Sequence, residues 1–393
     1  MNNNNINIPQ LRFPEFEGEW VEKRLEKLFS EFKSGNNITA SQIKENGNYP
    51  VYGGNGLRGY YDDFTHNDNY FLIGRQGALC GNINRSNGKA FFSEHAIACR
   101  ANDENNTEWL AQRLDYYNLN RLSESSAQPG LSVSKLLRFK LTVPTLQEQT
   151  KIANFLTSVD KRINLLQKKK IELEQYKKGI MQKLFSQKVR FKDKDGSDFP
   201  DWELRQLGEV CEISSSKRVL QKDWKESGIP FYRTREIINL SKGDDFKTPI
   251  FIADELYDSI KKKYGIPKTG DILVTGVGSI GETYIVKDID KFYFKDGNVL
   301  WLKISDKMNS NFIEQSFKTR FIKKQLSDNA SITTVATFTI EGAKNTNILI
   351  PSKEEQTKIA NFLSSIDKSI EKLGNQIEQS KDWKKGLLQK MFV

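Results

Sequence analysis

The chain has 393 residues, 37% hydrophobic and 11% aromatic, enough for two or three packed domains and against general disorder. Its net charge of +10 and pI near 9.2 are compatible with nucleic acid or an anionic surface and select neither. Three cysteines without CxxC spacing and two histidines argue against a disulfide framework or a structural zinc site, so reduced thiols are expected. No apolar run approaches the ~18 residues of a membrane helix, and a cytoplasmic location is expected.

In chain order, residues 1–5 are polar and are expected to lack structure. Phe13-Pro14-Glu15-Phe16 then leads to Trp20 and Leu25. The following module, residues 20–142, carries Pro50-Val51-Tyr52-Gly53-Gly54-Asn55-Gly56-Leu57-Arg58-Gly59-Tyr60-Tyr61. It continues with the β-rich Tyr70-Phe71-Leu72-Ile73-Gly74-Arg75-Gln76-Gly77-Ala78-Leu79-Cys80-Gly81. Short β-branched and aromatic runs broken by glycine predict twisted sheets with tight turns. The GxxxxGK phosphate-loop pattern does not occur, and Gly74-Arg75-Gln76-Gly77 lacks the strand-to-helix context of a dinucleotide site.

Residues 143–186 begin with Pro144, tolerated at a helix start. Ile152, Leu156, Val159, Ile163, Leu166, Leu173, Ile180 and Leu184 then recur at alternating four- and three-residue spacing, which predicts a long coiled-coil helix of about 60 Å. Polar residues interrupt the stripe at Lys170 and Lys177, and in the later copy at Ser380 and Lys384, so the far ends read as looser or as contacts for another protein. Residues 161–190 hold ten Lys and Arg against two Glu, either a solvated face or a basic ridge along phosphates.

Phe199-Pro200-Asp201-Trp202 repeats the opening. Residues 202–349 form a second module with related order: Ile229-Pro230-Phe231-Tyr232-Arg233-Thr234-Arg235, then residues 270–281 with Thr275-Gly276-Val277-Gly278-Ser279, then Tyr293-Phe294-Lys295. Residues 350–393 then copy 143–186 without a gap. Residues 148–156 and 355–363 are identical at nine consecutive positions. A repeat of this length decides the organisation: domain 1 at 1–142, a central helix at 143–190, domain 2 at 191–349 and a C-terminal helix at 350–393. The fold class is α+β, with two globular β-rich domains joined by two long antiparallel helices forming a coiled coil.

Catalysis finds no support in the sequence. All ten prolines are isolated, which excludes the Asp/Asn-Pro-Pro-Tyr/Phe motif of an amino-methyltransferase. No Walker motif marks a motor ATPase, and Glu94-His95 has no third group beside it.

Glu148-Gln149-Thr150-Lys151-Ile152-Ala153-Asn154-Phe155-Leu156, its copy at 355–363 and the closing Gly-x-x-Gln-Lys-x-Phe at 179–185 resemble the conserved helical regions of type I restriction–modification specificity subunits. The stretches Gly53-Gly54-Asn55-Gly56 and Gly74-Arg75-x-Gly77-x-x-Cys80-Gly81 are similar to that family's target-recognition domains. The resemblance implies a non-catalytic DNA-binding subunit that reads a bipartite target in double-stranded DNA, one half-site per domain, with the helices as ruler. It implies docking of two modification (methyltransferase) subunits and two restriction (translocase and nuclease) subunits. S-adenosylmethionine, ATP and Mg would belong to those partners, with no cofactor or metal on this chain.

The candidate DNA-binding residues are Arg58, Tyr60, Arg75, Gln76, Asn82 and Lys89 in the first module and Arg218, Arg233, Arg235, Thr275, Ser279 and Lys295 in the second. Arg, Asn and Gln supply the paired donors and acceptors that base edges require. The candidate partner-docking residues are Gln149, Ile152 and Phe155, with Gln356, Ile359 and Phe362 in the second copy. The second glycine motif lacks an arginine at the place of Arg75 and is one residue shorter. A coiled-coil adaptor that binds only protein is the competing reading, and salt-insensitive assembly without DNA retention would favour it.

Overall fold

The computed structural model describes residues 7–77, 79–123, 129–244, 249–287, 291–328 and 337–392; residues 1–5 lie outside them. The chain forms two compact units, unit 1 from residues 1–168 and 374–393 and unit 2 from residues 169–373. Each unit takes part of both long helices.

Unit 1 runs β1 (Val21–Arg24), β2 (Phe29–Ser34), β3 (Tyr49–Gly53), β4 (Gly56–Tyr61), β5 (His66–Asn67), β6 (Tyr70–Gly74), β7 (Ile83–Ser86), β8 (Lys89–Phe92), β9 (Ala96–Ala101), α1 (Thr107–Tyr117), α2 (Val133–Arg138), β10 (Lys140–Val143) and the start of α3 (Leu146–Phe185). One four-stranded sheet has the order β2-β9-β6-β7 and a second β4-β3-β8-β5, while β1 and β10 form an antiparallel pair at the foot of α3. β6 reads as an unbroken apolar run because both its faces are buried. Phe71 and Ile73 join the core shared with the long helices, whereas Tyr70 and Leu72 face the second sheet's core, as the two-residue period of a strand requires.

Unit 2 continues from α3 through β11 (Glu203–Gln206), α4 (Leu207–Val210), β12 (Cys211–Ser215), β13 (Trp224–Lys225), β14 (Ile229–Tyr232), α5 (Thr234–Lys242), β15 (Phe251–Ile252), α6 (Asp254–Tyr264), β16 (Ile272–Thr275), β17 (Thr283–Ile285), β18 (Tyr293–Phe294), β19 (Val299–Ile304), α7 (Ser310–Phe317), α8 (Arg320–Asp328), α9 (Ile340–Lys344), β20 (Asn347–Ile350) and α10 (Lys353–Met391). Its sheets repeat those of unit 1: β12-β19-β16-β17 corresponds to β2-β9-β6-β7, and the parallel pair β14–β18 corresponds to β3–β8. Here too Ile272 and Val274 face the helix-side core and Leu273 the second one.

The long helices are antiparallel. In unit 1 the start of α3 lies beside the end of α10, with Lys384 Nζ 2.6 Å from Asp160 Oδ1. In unit 2 the end of α3 lies beside the start of α10, and Lys177 Nζ reaches Asp367 Oδ1 at 2.6 Å. Lys177 and Lys384 occupy the same position of the repeat, as do Asp160 and Asp367. Two polar breaks in the apolar stripe, expected either to loosen the far ends or to meet another protein, are therefore reciprocal ion pairs between the two helices. The stripe also serves more than a coiled coil. Ile152, Leu156, Val159 and Ile163, with Leu387, Met391 and Phe392, complete the core of unit 1, and Leu184, Ile359 and Leu363 complete that of unit 2.

Candidate nucleic-acid interface

In unit 1 the glycine-rich segments predicted from sequence meet at one end of the two sheets. The Arg75 amide donates to the His95 carbonyl and the Leu131 amide to the Arg75 carbonyl, each at 2.9 Å; the Gly77 amide donates to the Pro129 carbonyl at 2.9 Å. The Ser93 amide donates to the Tyr52 carbonyl at 2.8 Å, and the Glu94 amide to the Asn36 carbonyl at 3.1 Å. Five separate stretches of chain therefore form one platform. A Cβ at Gly74 would overlap the carbonyl oxygens of Gly54 and Leu79, so glycine is what lets these loops touch.

Unit 2 builds the same junction from different residues. The Gly276 amide donates to the Asn298 carbonyl and the Phe338 amide to the Gly276 carbonyl, both at 2.8 Å, and Val277 bridges Thr337 as Gln76 bridges Gly130. Gly81 (φ +88°) and Gly281 (φ +84°) close the two loops in the same left-handed conformation. Gly276 thus stands where unit 1 has Arg75.

The candidate contact residues divide by location. Arg75 and exposed Gln76 lie on the unit 1 platform; the Arg75 guanidinium donates from Nη1 to Ser34 Oγ at 3.3 Å. Arg58 is exposed, with its stem beside Gly53, and Asn82 is exposed where the loop re-enters β7. Tyr60 and Lys89 are placed elsewhere, Tyr60 paired through its backbone with Lys44 and the Lys89 ammonium 4.7 Å above the Phe64 ring. In unit 2, Arg218 Nε lies 2.9 Å and Lys295 Nζ 3.5 Å from Asp296, which brings these two together; Ser279 is exposed on the loop.

Two candidates, Thr275 and Arg233, are corrected by their surroundings, whereas Arg235 stays exposed beside its acid. Thr275 has no exposed surface, and its hydroxyl donates to the Ser279 carbonyl and accepts from the Glu282 amide, so it closes the loop from inside. Arg233 and Arg235 both turn to Glu236, at 2.7 and 2.6 Å. Burial opposes ionisation of this carboxyl, but hydrogen bonds from the two arginines hold its pKa below the ordinary value. Arg233 is consequently a cap of α5.

The helix residues expected at a partner surface also divide. Gln149 is buried; its Nε2 donates to the Pro144 carbonyl at 2.9 Å and its Oε1 accepts from the Asn106 amide at 2.9 Å. Gln356 repeats this with the Pro351 carbonyl at 3.0 Å and the Asn309 amide at 2.9 Å. Ile152 and Ile359 are core. These four side chains fasten each domain to its helix and present nothing to a partner. Phe155 and Phe362 remain half exposed. Phe155 stands edge-on to Phe13 and Trp383, and Phe362 to Phe191.

The shared junction is built from the first residues of the identical nonapeptides. The type I restriction modification DNA specificity domain matches the chain twice, over residues 17–175 and 200–379. The chain belongs to the type I restriction–modification specificity family. A putative type I specificity subunit of Haemophilus influenzae is 26% identical over 372 residues, spanning 93% of this chain and 92% of that one. The EcoprrI specificity subunit of Escherichia coli is 40% identical over 158 residues, spanning 39% of each chain. The crystal structure of the S subunit from M. genitalium shares the fold, with a TM-score of 0.65 at 17% identity over 98% of this chain and 99% of that one. Homologues named in this family are specificity subunits and not the catalytic components. Among the described residues no helix is long and apolar enough to cross a membrane, and no cluster of acidic, Cys or His side chains could hold a metal.

Sequence reasoning missed one pair of residues in this family frame. Arg12 in unit 1 and Arg190 in unit 2 grip Glu148 and Glu355, and Trp20 and Trp202 donate to the same carboxylates at 3.3 and 3.1 Å. Arg12-Phe13 is therefore the counterpart of Arg190-Phe191, and not of the residues before Trp202. The matching tripeptides Leu-Arg-Phe and Val-Arg-Phe were the available signal.

Proposed function

We propose that the chain directs a DNA-modifying complex to a bipartite sequence in double-stranded DNA, each unit reading one half-site and the paired helices fixing the spacing. One observation carries this reading: the junction between helix and domain repeats its arginine, tryptophan, glutamate, glutamine and asparagine contacts in both units, whereas the loop platforms differ, as Arg75 against Gly276 shows. A constant frame with two unlike platforms suits one enzyme reading two unlike half-sites. Loop amides, glycines and exposed Arg, Gln and Asn supply both close backbone approach and base-edge donors.

The twin helix surfaces suit two copies of one partner. Lys151, Asn154 and Phe155 with Trp383, and Lys358, Asn361 and Phe362 with Tyr176, occupy matching positions of the repeat; Trp383 is 53% and Tyr176 54% exposed. Modification subunits docking there would bring S-adenosylmethionine, and restriction subunits would bring ATP and Mg. The test is to co-express the chain with its methyltransferase partner and map methyladenine genome-wide. Exchanging residues 20–142 should alter one half of the methylated sequence and leave the other half unchanged; methylation indifferent to that exchange would refute the reading.

A further inference from the structure

The two units differ at one surface where their frames are otherwise equivalent. In unit 2, the end of α3 and the first turns of α8 enclose a groove whose rim carries Lys178, Lys188, Lys318, Arg320, Lys323 and Lys324. Its floor is Met181, Phe185 and Phe321, and Phe321 is 46% exposed. Lys318 pairs with Glu314 at 3.4 Å; among the described residues no acid stands within ion-pair distance of the other five cations. In unit 1, Asn106 and Gln112 correspond to Asn309 and Gln315, so residues 115–121 correspond to 318–324. That stretch reads Asp115-Tyr116-Tyr117-Asn118-Leu119-Asn120-Arg121, with a single cation. There the Tyr116 ring lies 5.5 Å from that of Phe392, the counterpart of Phe185.

α8 joins this groove to the loop platform. Its inner face, Ile322 and Leu326, is buried, and Leu326 lies directly under Gly281, where a Cβ would overlap it. Arg320, Lys323 and Lys324 are spaced along the helix toward solvent. Nine residues of helix span about 13 Å, so all three cations stand within two or three phosphate spacings of the loop closed by Gly281.

We propose that this groove is a sequence-independent phosphate site for the duplex flanking the half-site read by unit 2, with no equivalent of its α8 cation cluster among the described residues of unit 1. The proposal rests on the DNA-reading function above. Unpaired cations on long apolar stems suit a phosphate backbone, because the stems can lie on Met181, Phe185 and Phe321 while the charged heads reach outward. The lack of a counterpart favours DNA over a docked subunit, since the candidate subunit surfaces occur in both copies of the repeat.

The test uses the complex with its methyltransferase partner and duplexes carrying the mapped target, lengthened on one side at a time. Binding is measured by fluorescence anisotropy between 50 and 200 mM salt. Lengthening on the unit 2 side, identified by exchange of residues 202–349, should tighten binding, and lengthening on the other side should not. Combined Arg320→Ala, Lys323→Ala and Lys324→Ala should lower the slope of log K against log salt by about 2 to 3, at about 0.9 per phosphate contact, without changing the methylated sequence. Lys178→Glu with Lys188→Glu on the opposite wall should do the same, and unchanged thermal melting shows that the fold is intact. An unchanged slope with specific binding retained overturns the groove alone, whereas wild-type complex without preference for any split sequence overturns the DNA-reading function. Normal DNA binding with loss of a subunit on size exclusion would make the groove a protein site and overturn the proposal.

Discussion

The guanidinium of Arg12 grips the carboxylate of Glu148 through two donors, Nε to Oε1 at 2.8 Å and Nη2 to Oε2 at 2.7 Å. Glu148 is 1% exposed and also accepts from Trp20. The segment entering the first domain is thereby tied to the first turn of α3. Arg190 and Glu355 repeat the tie, at 3.2 and 2.8 Å. In both, the hydrogen bond to the carboxylate raises the arginine's pKa above its usual value, against a smaller effect of burial.

Glu148→Gln should therefore destabilise the protein by about 2–3 kcal/mol, the scale of a buried charge-assisted hydrogen-bond pair. Glu355→Gln should cost a similar amount, because the geometry is repeated. Chemical denaturation followed by tryptophan fluorescence reads the effect through Trp20 and Trp202. Equal stability of either variant and wild type would contradict the assignment.

The end of α10 closes unit 1 much as the end of α3 closes unit 2. Phe392 is 5% exposed and packs edge-on to Trp109 at 6.1 Å, with the Arg113 guanidinium 5.3 Å from its ring. Phe185 stacks on Phe312 at 5.5 Å. Removal of the Phe392 ring should leave a cavity costing about 3–5 kcal/mol. Hydrogen exchange on Phe392→Ala should show lost protection in α1 and β9 with β16 and β19 unaffected; uniform loss across both units would show that the ring does not act locally.

These ties explain what the sequence disclosed and what it hid. The helices were legible because the repeat is identical over nine residues and its apolar spacing survives the polar breaks. The roles of Gln149 and Gln356 were not, because a glutamine in a repeated segment reads the same whether it faces a partner or fastens its own domain. Arg12 and Arg190 escaped alignment because six residues separate Phe13 from Trp20 and ten separate Phe191 from Trp202. The loop platforms are assembled from stretches far apart in sequence, so glycine spacing marked the turns but not which of them meet. Thr275 and Arg233 show the remaining difficulty: their partners, the Ser279 carbonyl and Glu236, are visible only once the loops are folded.

A pH dependence follows from the contact between the two sheets of unit 1. His66, 8% exposed, stacks on Phe92 at 4.3 Å, and its Nε2 lies 3.2 Å from Glu31 Oε1. Burial lowers its pKa, partly offset by Glu31. Burial alone would raise the pKa of Glu31, but hydrogen bonds from Lys33, Tyr70 and His66 lower it. Tyr70, buried and donating to Glu31 at 2.7 Å, is pushed up to about 12. With the folded pKa of His66 below its unfolded value of about 6.5, the unfolded chain binds more protons, so stability is greatest above that value and declines as pH falls through it. Glu31 adds a decline of the same sign below about 4.3. Thermal melting should weaken between pH 7.5 and 5.5, and His66→Gln should flatten that slope; an unaltered slope would assign it to other groups.

Gly74 makes a sharper prediction about the loop platform. Because a Cβ there meets backbone carbonyls and not a yielding side chain, Gly74→Ala must push apart the loops at 53–56 and 74–81. The fold should survive, since β6 is anchored by Phe71, Leu72 and Ile73. Recognition should fail in the half-site of unit 1 only, which methyladenine mapping would show as degenerate positions confined to one half of the target. An intact bipartite target would mean that the close approach is irrelevant to reading.

Arg75→Ala separates side chain from backbone at the same platform. The Arg75 backbone is held by His95 and Leu131 and its carbonyl also accepts from the Cys80 thiol at 3.4 Å, none of which involves the guanidinium. Alanine therefore keeps the loop and deletes a guanidinium whose hydrogen-bond partner among the described residues is the Ser34 hydroxyl. If that guanidinium reads a base edge, affinity should fall by about 1–3 kcal/mol and one base position in one half-site should relax. A phosphate contact instead would lower affinity alike for all sequences and reduce the salt slope by about one. Gly276 offers no comparable group, so under the proposed function unit 2 would use other side chains, with Ser279, Arg218 and Arg235 the exposed candidates and Lys295 half-buried beside Asp296. An Arg75→Ala protein with wild-type affinity and an unchanged methylated sequence would remove this residue from the interface.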